Sequence, residues 1–234
     1  MTNAFVTIAF MSPRREPVSR RDRPAKPPLS RDGLVAVALQ IMRDEGLERV
    51  TMRRLASELD TGPASLYVYV RNTAELHGAL LDELLAEPLV RPGTGDSPRA
   101  ALVGQLFAYT ELLLGYPSLA RSVLSLRPSG PNYLRLVDTL LGLLHAMEVS
   151  PRAAAWGVDV LLQLATATAA EQGTRDESVE AEQEEQSVVL AVREADAGDY
   201  PNLVRVRGEL FSGTGEQRIR WAFAALVDGI ATST

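Results

Sequence analysis

LSRDGLVAVALQIMRDEGLERVTMRRLASELDTGPASLYVYVRNTAEL, residues 29–76, holds four helix starts in quick succession. Ser30 is a good N-cap, and Leu34, Val35, Ala38, Leu39 and Met42 recur at the spacing of one helical face. Gly46 suits the residue that ends that helix. Thr51 can cap a second, short helix with Leu55 and Leu59 inward. Asp60-Thr61-Gly62 reads as a turn, and Pro63 fits the first position of a third helix carrying Leu66 and Val70 inward. Asn72, with Glu75 three residues on, is shaped like a capping box and opens a fourth helix through about Ala86. Short helices with a tight turn between the second and third describe a helix-turn-helix unit.

Working outward toward the N-terminus, Arg14, Arg15, Arg20, Arg21, Arg23 and Lys26 are interleaved with Pro13, Pro17, Pro24, Pro27 and Pro28. Proline lacks an N–H and resists helix, so residues 1–28 are expected to form an extended, flexible basic arm. The opening MTNAFVTIAF has no preceding positive charge and no small-residue cleavage site after it. It reads as neither signal peptide nor membrane anchor, and Met11 is an alternative start.

Toward the C-terminus, Pro88–Pro98, with Gly93 and Gly95, reads as a linker. Helical patterns follow at roughly 98–115, 117–126, 131–147 and 151–172, punctuated by Pro98, Pro117, Pro128, Pro131 and Pro151. A Glu/Gln-rich stretch from Gly173 to Gln186 has no firm apolar period and is open as a loop or an exposed helix start. Helix returns at 187–196, at 201–210 on a weaker pattern, and at 216–230. The expected fold class is all-α. Three parts are expected: the arm at 1–28, a helix-turn-helix domain at 29–75, and a C-terminal effector-binding and dimerisation domain at 76–234.

The chain is 46% hydrophobic but only 6% aromatic, a mixture rich in Leu, Ala and Val that favours helix interiors over sheets. Cysteine is absent, so disulfide frameworks and thiolate zinc sites are excluded. A net charge of −6 argues against nucleic acid until its distribution is read: the basic excess is N-terminal, and Glu177–Glu185 form an acidic run. His77 and His145 are far apart, and no phosphate-binding glycine loop or nucleophile elbow occurs, so an enzyme is not expected. No apolar run is free of polar interruption at membrane-spanning length, and a cytoplasmic protein is expected.

The quoted run closely resembles the DNA-binding domain of TetR-family repressors, in helix order, in the T-x-R-x-L-A core from Thr51 to Ala56, and in S-L-Y-x-Y-V from Ser65 to Val70. GYPSLARSVLSLRP, residues 115–128, resembles the C-terminal half of the tetracycline-repressor subgroup. The resemblance implies a homodimer on a palindromic double-stranded operator, released by a small-molecule effector. It implies direct base readout by Arg53, close approach of Pro63, Ala64 and Ser65 to base edges, and phosphate contacts from Thr51, Tyr67 and Tyr69. Two departures stand out. Asp60 occupies a turn position usually held by glycine, and Thr73 replaces a common basic phosphate contact. Arg20, Arg21 and Arg23 could compensate in the minor groove.

In the C-terminal half the resemblance places Gln105, Tyr109 and Thr139 in a ligand pocket, with Arg127 nearby. Val123 and Leu89 stand where the subgroup has histidines, the first of them a magnesium ligand. A valine cannot ligate a metal, so no metal or other cofactor is expected, and an apolar or aromatic effector is expected instead. Ala153, Ala154, Ala155, Leu161, Ala165 and Ala169, with Ala222, Ala225, Leu226 and Ile230, suit a dimerising four-helix bundle or intramolecular core faces; the resemblance favours the dimer. Trp156 and Trp221 fit core or dimer better than pocket. A regulator answering to a protein partner through the acidic segment, and a helical ligand-binding protein without specific DNA binding, are the alternatives.

Overall fold

The computed structural model describes residues 29–89, 96–176, 178 and 180–233. Among them are eleven α-helices, one 3₁₀ turn at Leu47–Arg49 and no strand. The N-terminal unit is α1 (Arg31–Glu45), α2 (Met52–Glu58), α3 (Pro63–Leu66) and α4 (Thr73–Leu84). The remainder is α5 (Pro98–Leu114), α6 (Pro117–Val123), α7 (Pro131–Ala146), α8 (Pro151–Asp176), α9 (Ala181–Glu194), α10 (Pro201–Val206) and α11 (Gly215–Thr232).

The local signals act as their chemistry requires. Oxygens of Ser30, Thr51 and Asn72 accept from the backbone N–H three residues on, at 3.1, 3.1 and 2.8 Å. Each such cap is worth about 1 kcal/mol. Only half of the capping box at Asn72 forms. The Glu75 carboxylate accepts from the N–H of Arg71, one residue earlier, at 2.8 Å. Asp60 has φ 49°, the left-handed conformation that makes glycine usual in this turn. The third helix is shorter than its pattern predicts: regular helix ends at Leu66, and residues 67–69 form a turn that still delivers Leu66 and Val70 to the core.

In the larger unit α5 lies against α8, α7 and α11, while α6 bridges α8 and α4. Leu102, Leu106, Leu113, Leu140, Leu144, Leu161, Ala165 and Phe223 are fully buried there. The segment Pro151–Arg175 is long and apolar enough to cross a membrane by length and composition alone, yet over half of it is buried in this core. α8 runs past the expected end at 172. A side chain at position 173 would collide with Pro117 2.5 Å away, so Gly173 lets α6 lie against the continuing helix. Residues 181–186 of the acidic stretch are the start of α9, a helix in which only Val192 is buried, which explains their lack of an apolar period.

Tertiary packing turns most of the small residues of α8 inward, while Ala155 stays exposed. Ala153, Ala154, Leu161, Ala165 and Ala169 are buried against this chain's own helices rather than presented outward. Gly157 receives Ile230 of α11, whose side chain would lie 2.9 Å from an added Cβ. Neither tryptophan is a core residue, since Trp156 is 63% and Trp221 73% exposed.

Candidate DNA interface and ligand cavity

The candidate DNA-reading face is built from α2, α3 and the turn after it. Adjacent arginines on α2 have opposite surroundings. Arg54 is held by Glu45 at 2.8 Å and Glu58 at 3.0 Å. Arg53 is exposed and has no such partner among the described residues. Its planar fork of donors is therefore available for the paired acceptors of a guanine edge. Thr51 Oγ1 already accepts from the Arg54 N–H, which leaves its own proton to donate to a phosphate oxygen.

Pro63, Ala64 and Ser65 are all exposed, anchored from behind by Leu66 and Val70. Small side chains here let the backbone come close to base edges. Tyr67 is 52% exposed and fits a phosphate contact. Tyr69 does not follow the same expectation. It is half-buried, and its hydroxyl donates to the Leu29 carbonyl at 2.7 Å. Its proton is spent on fixing the start of α1, so in this arrangement it cannot donate to a phosphate. Thr73 is exposed at the first position of α4. Sequence reasoning passed over Val68, which is 80% exposed beside Tyr67 and offers a methyl surface of the kind that contacts thymine. Arg20, Arg21 and Arg23 lie outside the described residues.

A cavity of about 230 Å³ lies between α5, α8, the start of α7 and the 123–128 segment. Tyr109 and Arg127 line it as the resemblance implies, and Val123 contributes an apolar wall. Burial pushes the Tyr109 hydroxyl far above its ordinary range, so it is a neutral donor, paired with Thr166 Oγ1 at 3.3 Å. Arg127 pairs with Asp159 at 3.2 Å, with both side chains mostly exposed. Two expected residues are elsewhere. Thr139 is exposed on α7, its hydroxyl donating to the Arg135 carbonyl at 2.8 Å, and does not reach the cavity. Gln105 is buried in α5 but does not line it.

Among the lining residues that sequence reasoning missed are Tyr133, Asp159, Gln163 and Thr166. The last three recur at helical spacing as a polar stripe on an otherwise apolar helix, a signal visible in the sequence. With these groups the lining is more polar than the expected apolar site. Among the described residues no His, Asp and Glu side chains converge as a metal-binding group.

Helix α4 joins the two regions through α1 on one side and α6 and α7 on the other. His77 Nδ1 lies 2.5 Å from Ser122 Oγ of α6. Burial holds the His77 imidazole below its ordinary value of 6.5, so the folded protein favours the neutral ring. An unfolded chain takes up this proton near pH 6.5 while the folded one resists, so stability is full above that pH and falls as the pH drops toward the folded value. Melting curves from pH 7.5 to about 5 should show this loss, and His77→Gln should flatten it. An unchanged profile would place the acid sensitivity elsewhere.

A partly exposed recognition element on a capped helical trihelix, joined by one helix to a larger helical body with an internal cavity, defines a helix-turn-helix DNA-binding regulator with a separate sensing half. Residues 34–80 match the family "Bacterial regulatory proteins, tetR family", and residues 94–234 match "Tetracyclin repressor-like, C-terminal domain". The chain belongs to the TetR family. It is 36% identical over 133 residues to the HTH-type transcriptional repressor DrrR1 of Streptomyces coeruleorubidus, an alignment spanning 56% of this chain and 49% of that protein. Among solved structures it is similar to SCO7704 from Streptomyces coelicor, at 50% identity and TM-score 0.74 over 89% of this chain and 98% of the other. It is also similar to the Streptomyces coelicolor TetR family protein ActR in complex with actinorhodin, at 31% identity and TM-score 0.74 over 87% and 95%.

Proposed function

We propose that this chain is a sequence-specific transcriptional repressor that acts as a homodimer on a palindromic operator and is released by a small-molecule effector. The observation that carries the reading is Arg53, exposed and without a partner among the described residues, on a helix packed against the one that exposes the small residues Ala64 and Ser65, while its neighbour Arg54 is tied down. One head reads only a few base pairs, so useful affinity requires two heads on paired half-sites. The face that would join them is apolar and uncovered: Trp156 and Val160 on α8, and Trp221 on α11, which borders an open groove with Val188, Leu210 and Phe211. A second copy of the chain is the occupant that a symmetric operator calls for.

The effector site is the cavity lined by Tyr109, Arg127 and Tyr133, in keeping with the similarity to ActR, which is solved with actinorhodin. Its polar lining favours an aromatic compound bearing oxygen groups. Release follows from linkage: the effector must bind more tightly to the arrangement that cannot hold DNA. A cytoplasmic setting fits this role.

Selection of a binding site from random duplex DNA, followed by anisotropy at two salt concentrations, tests the reading. A two-fold symmetric site bound in the nanomolar range is expected. Weak, salt-sensitive binding without a shared sequence would overturn it. Deleting residues 1–28 should weaken binding and flatten the salt dependence, because phosphate contacts release counterions. An unchanged slope would mean that the arginines of the arm do not touch DNA.

A further inference from the structure

Among the described residues, side-chain hydrogen bonds tie the lever α4 to the sensing half at His77, which meets α6, and at Asp82, which meets α7. The second has the geometry of a joint. Asp82 Oδ1 accepts from the backbone N–H of Asn132 at 2.9 Å and of Tyr133 at 2.8 Å. The Asn132 amide donates back to the Asp82 carbonyl at 3.0 Å. Helix α7 has no side-chain cap of its own, since its N-cap is Gly130. The carboxylate of a residue 50 positions earlier does that work.

The placement makes sense only for α7. Asp82 and Glu83 sit in the last turn of α4, where no basic residue balances them and where negative charge opposes the helix dipole. At the start of α7 the same charge meets unpaired N–H groups and the favourable end of the dipole. Gly130 completes the joint. Its φ of −70° is ordinary for any residue, yet an added Cβ would lie 2.2 Å from the Asp82 carboxylate. Glycine is required by the approach of Asp82 and not by the backbone. On its other side this turn meets the cavity, because the residue whose N–H rests on Asp82 is Tyr133, which lines the cavity.

We propose that Asp82 is the positioning residue that carries displacement of the first turn of α7 to α4, and so sets whether the helix-turn-helix unit holds its operator. An effector pressing on Tyr133 moves this turn, and short charge-assisted hydrogen bonds make the lever follow it. The inference rests on the operator-binding reading above, which wild-type site selection tests independently.

Substitution can move the joint without any effector. Gly130→Ala drives a methyl group between Asp82 and α7, and should weaken binding to the selected operator about tenfold. The melting temperature and mass in solution should stay close to wild type. Asp82→Ala/Gly130→Ala removes the collision, and should bind within about threefold of Asp82→Ala alone. Should Gly130→Ala fold poorly, Asp82→Glu pushes on the same turn with one extra methylene and should weaken operator binding in the same way. Wild-type affinity in the folded wedge variants would overturn the inference, as would a loss on adding Gly130→Ala to Asp82→Ala as large as its loss in the wild-type background. A wild-type protein that selects no shared site would overturn the operator reading and the inference together.

Discussion

Arg53→Ala is expected to weaken binding to the selected operator by about 1–3 kcal/mol per half-site and to relax the sequence preference at one base pair. The effect is large because the guanidinium has no partner among the described residues to fall back on, so its hydrogen-bonding capacity is available to DNA. Two controls separate base reading from simple charge. Arg53→Lys keeps the cation but loses the planar fork, and should retain non-specific binding while losing preference at the same base. Arg54→Ala should mainly release Glu45 and Glu58, leaving specificity intact. Anisotropy on a panel of single-base operator variants measures all three. If Arg53→Ala keeps both wild-type affinity and wild-type preference, base readout lies elsewhere on the face, with Ser65 and Val68 the next residues to replace.

If the chain forms the proposed dimer, Trp221→Glu is expected to convert it to a monomer and to reduce operator affinity by about 10²–10⁴-fold, the loss that follows when a second half-site is no longer held at high effective concentration. Trp221 is 73% exposed in the single chain, so its replacement costs the monomer little packing, and the melting temperature of the separated subunit reports that control. A charge in place of an indole is costly only if another apolar surface covers it. Sedimentation gives the mass and anisotropy gives the affinity. A variant that stays dimeric with full operator affinity would move the interface off α11 and leave the α8 face, with Trp156 and Val160, as the remaining surface to test.

Much of the head is legible in the order of its residues. Ser30, Thr51 and Asn72 cap, Pro63 opens α3, and the inward leucines land where their spacing puts them. These signals act within a single helical turn, between groups three or four residues apart, so a linear reading contains both partners. The same holds for the positive φ at Asp60, a property of one turn. Resemblance added the proposed roles; Arg53 stands exposed, and Tyr109 and Arg127 line the cavity.

Composition favoured helix over sheet, and the order of the charged residues placed the basic excess at one end. The apolar spacing and the caps settled where most helices start. Packing between distant segments decided the rest. Tyr69 gives its proton to Leu29, 40 residues away, and Thr139 faces away from the cavity. Ala153, Ala154, Ala165 and Ala169 of α8 turn to their own core, and the side chain of Asp82 in α4 caps another helix. A period in the sequence identifies that a helix has an apolar or a polar face. Which neighbour that face meets depends on how helices from far-apart stretches cross, and those contacts exist only once the chain has folded.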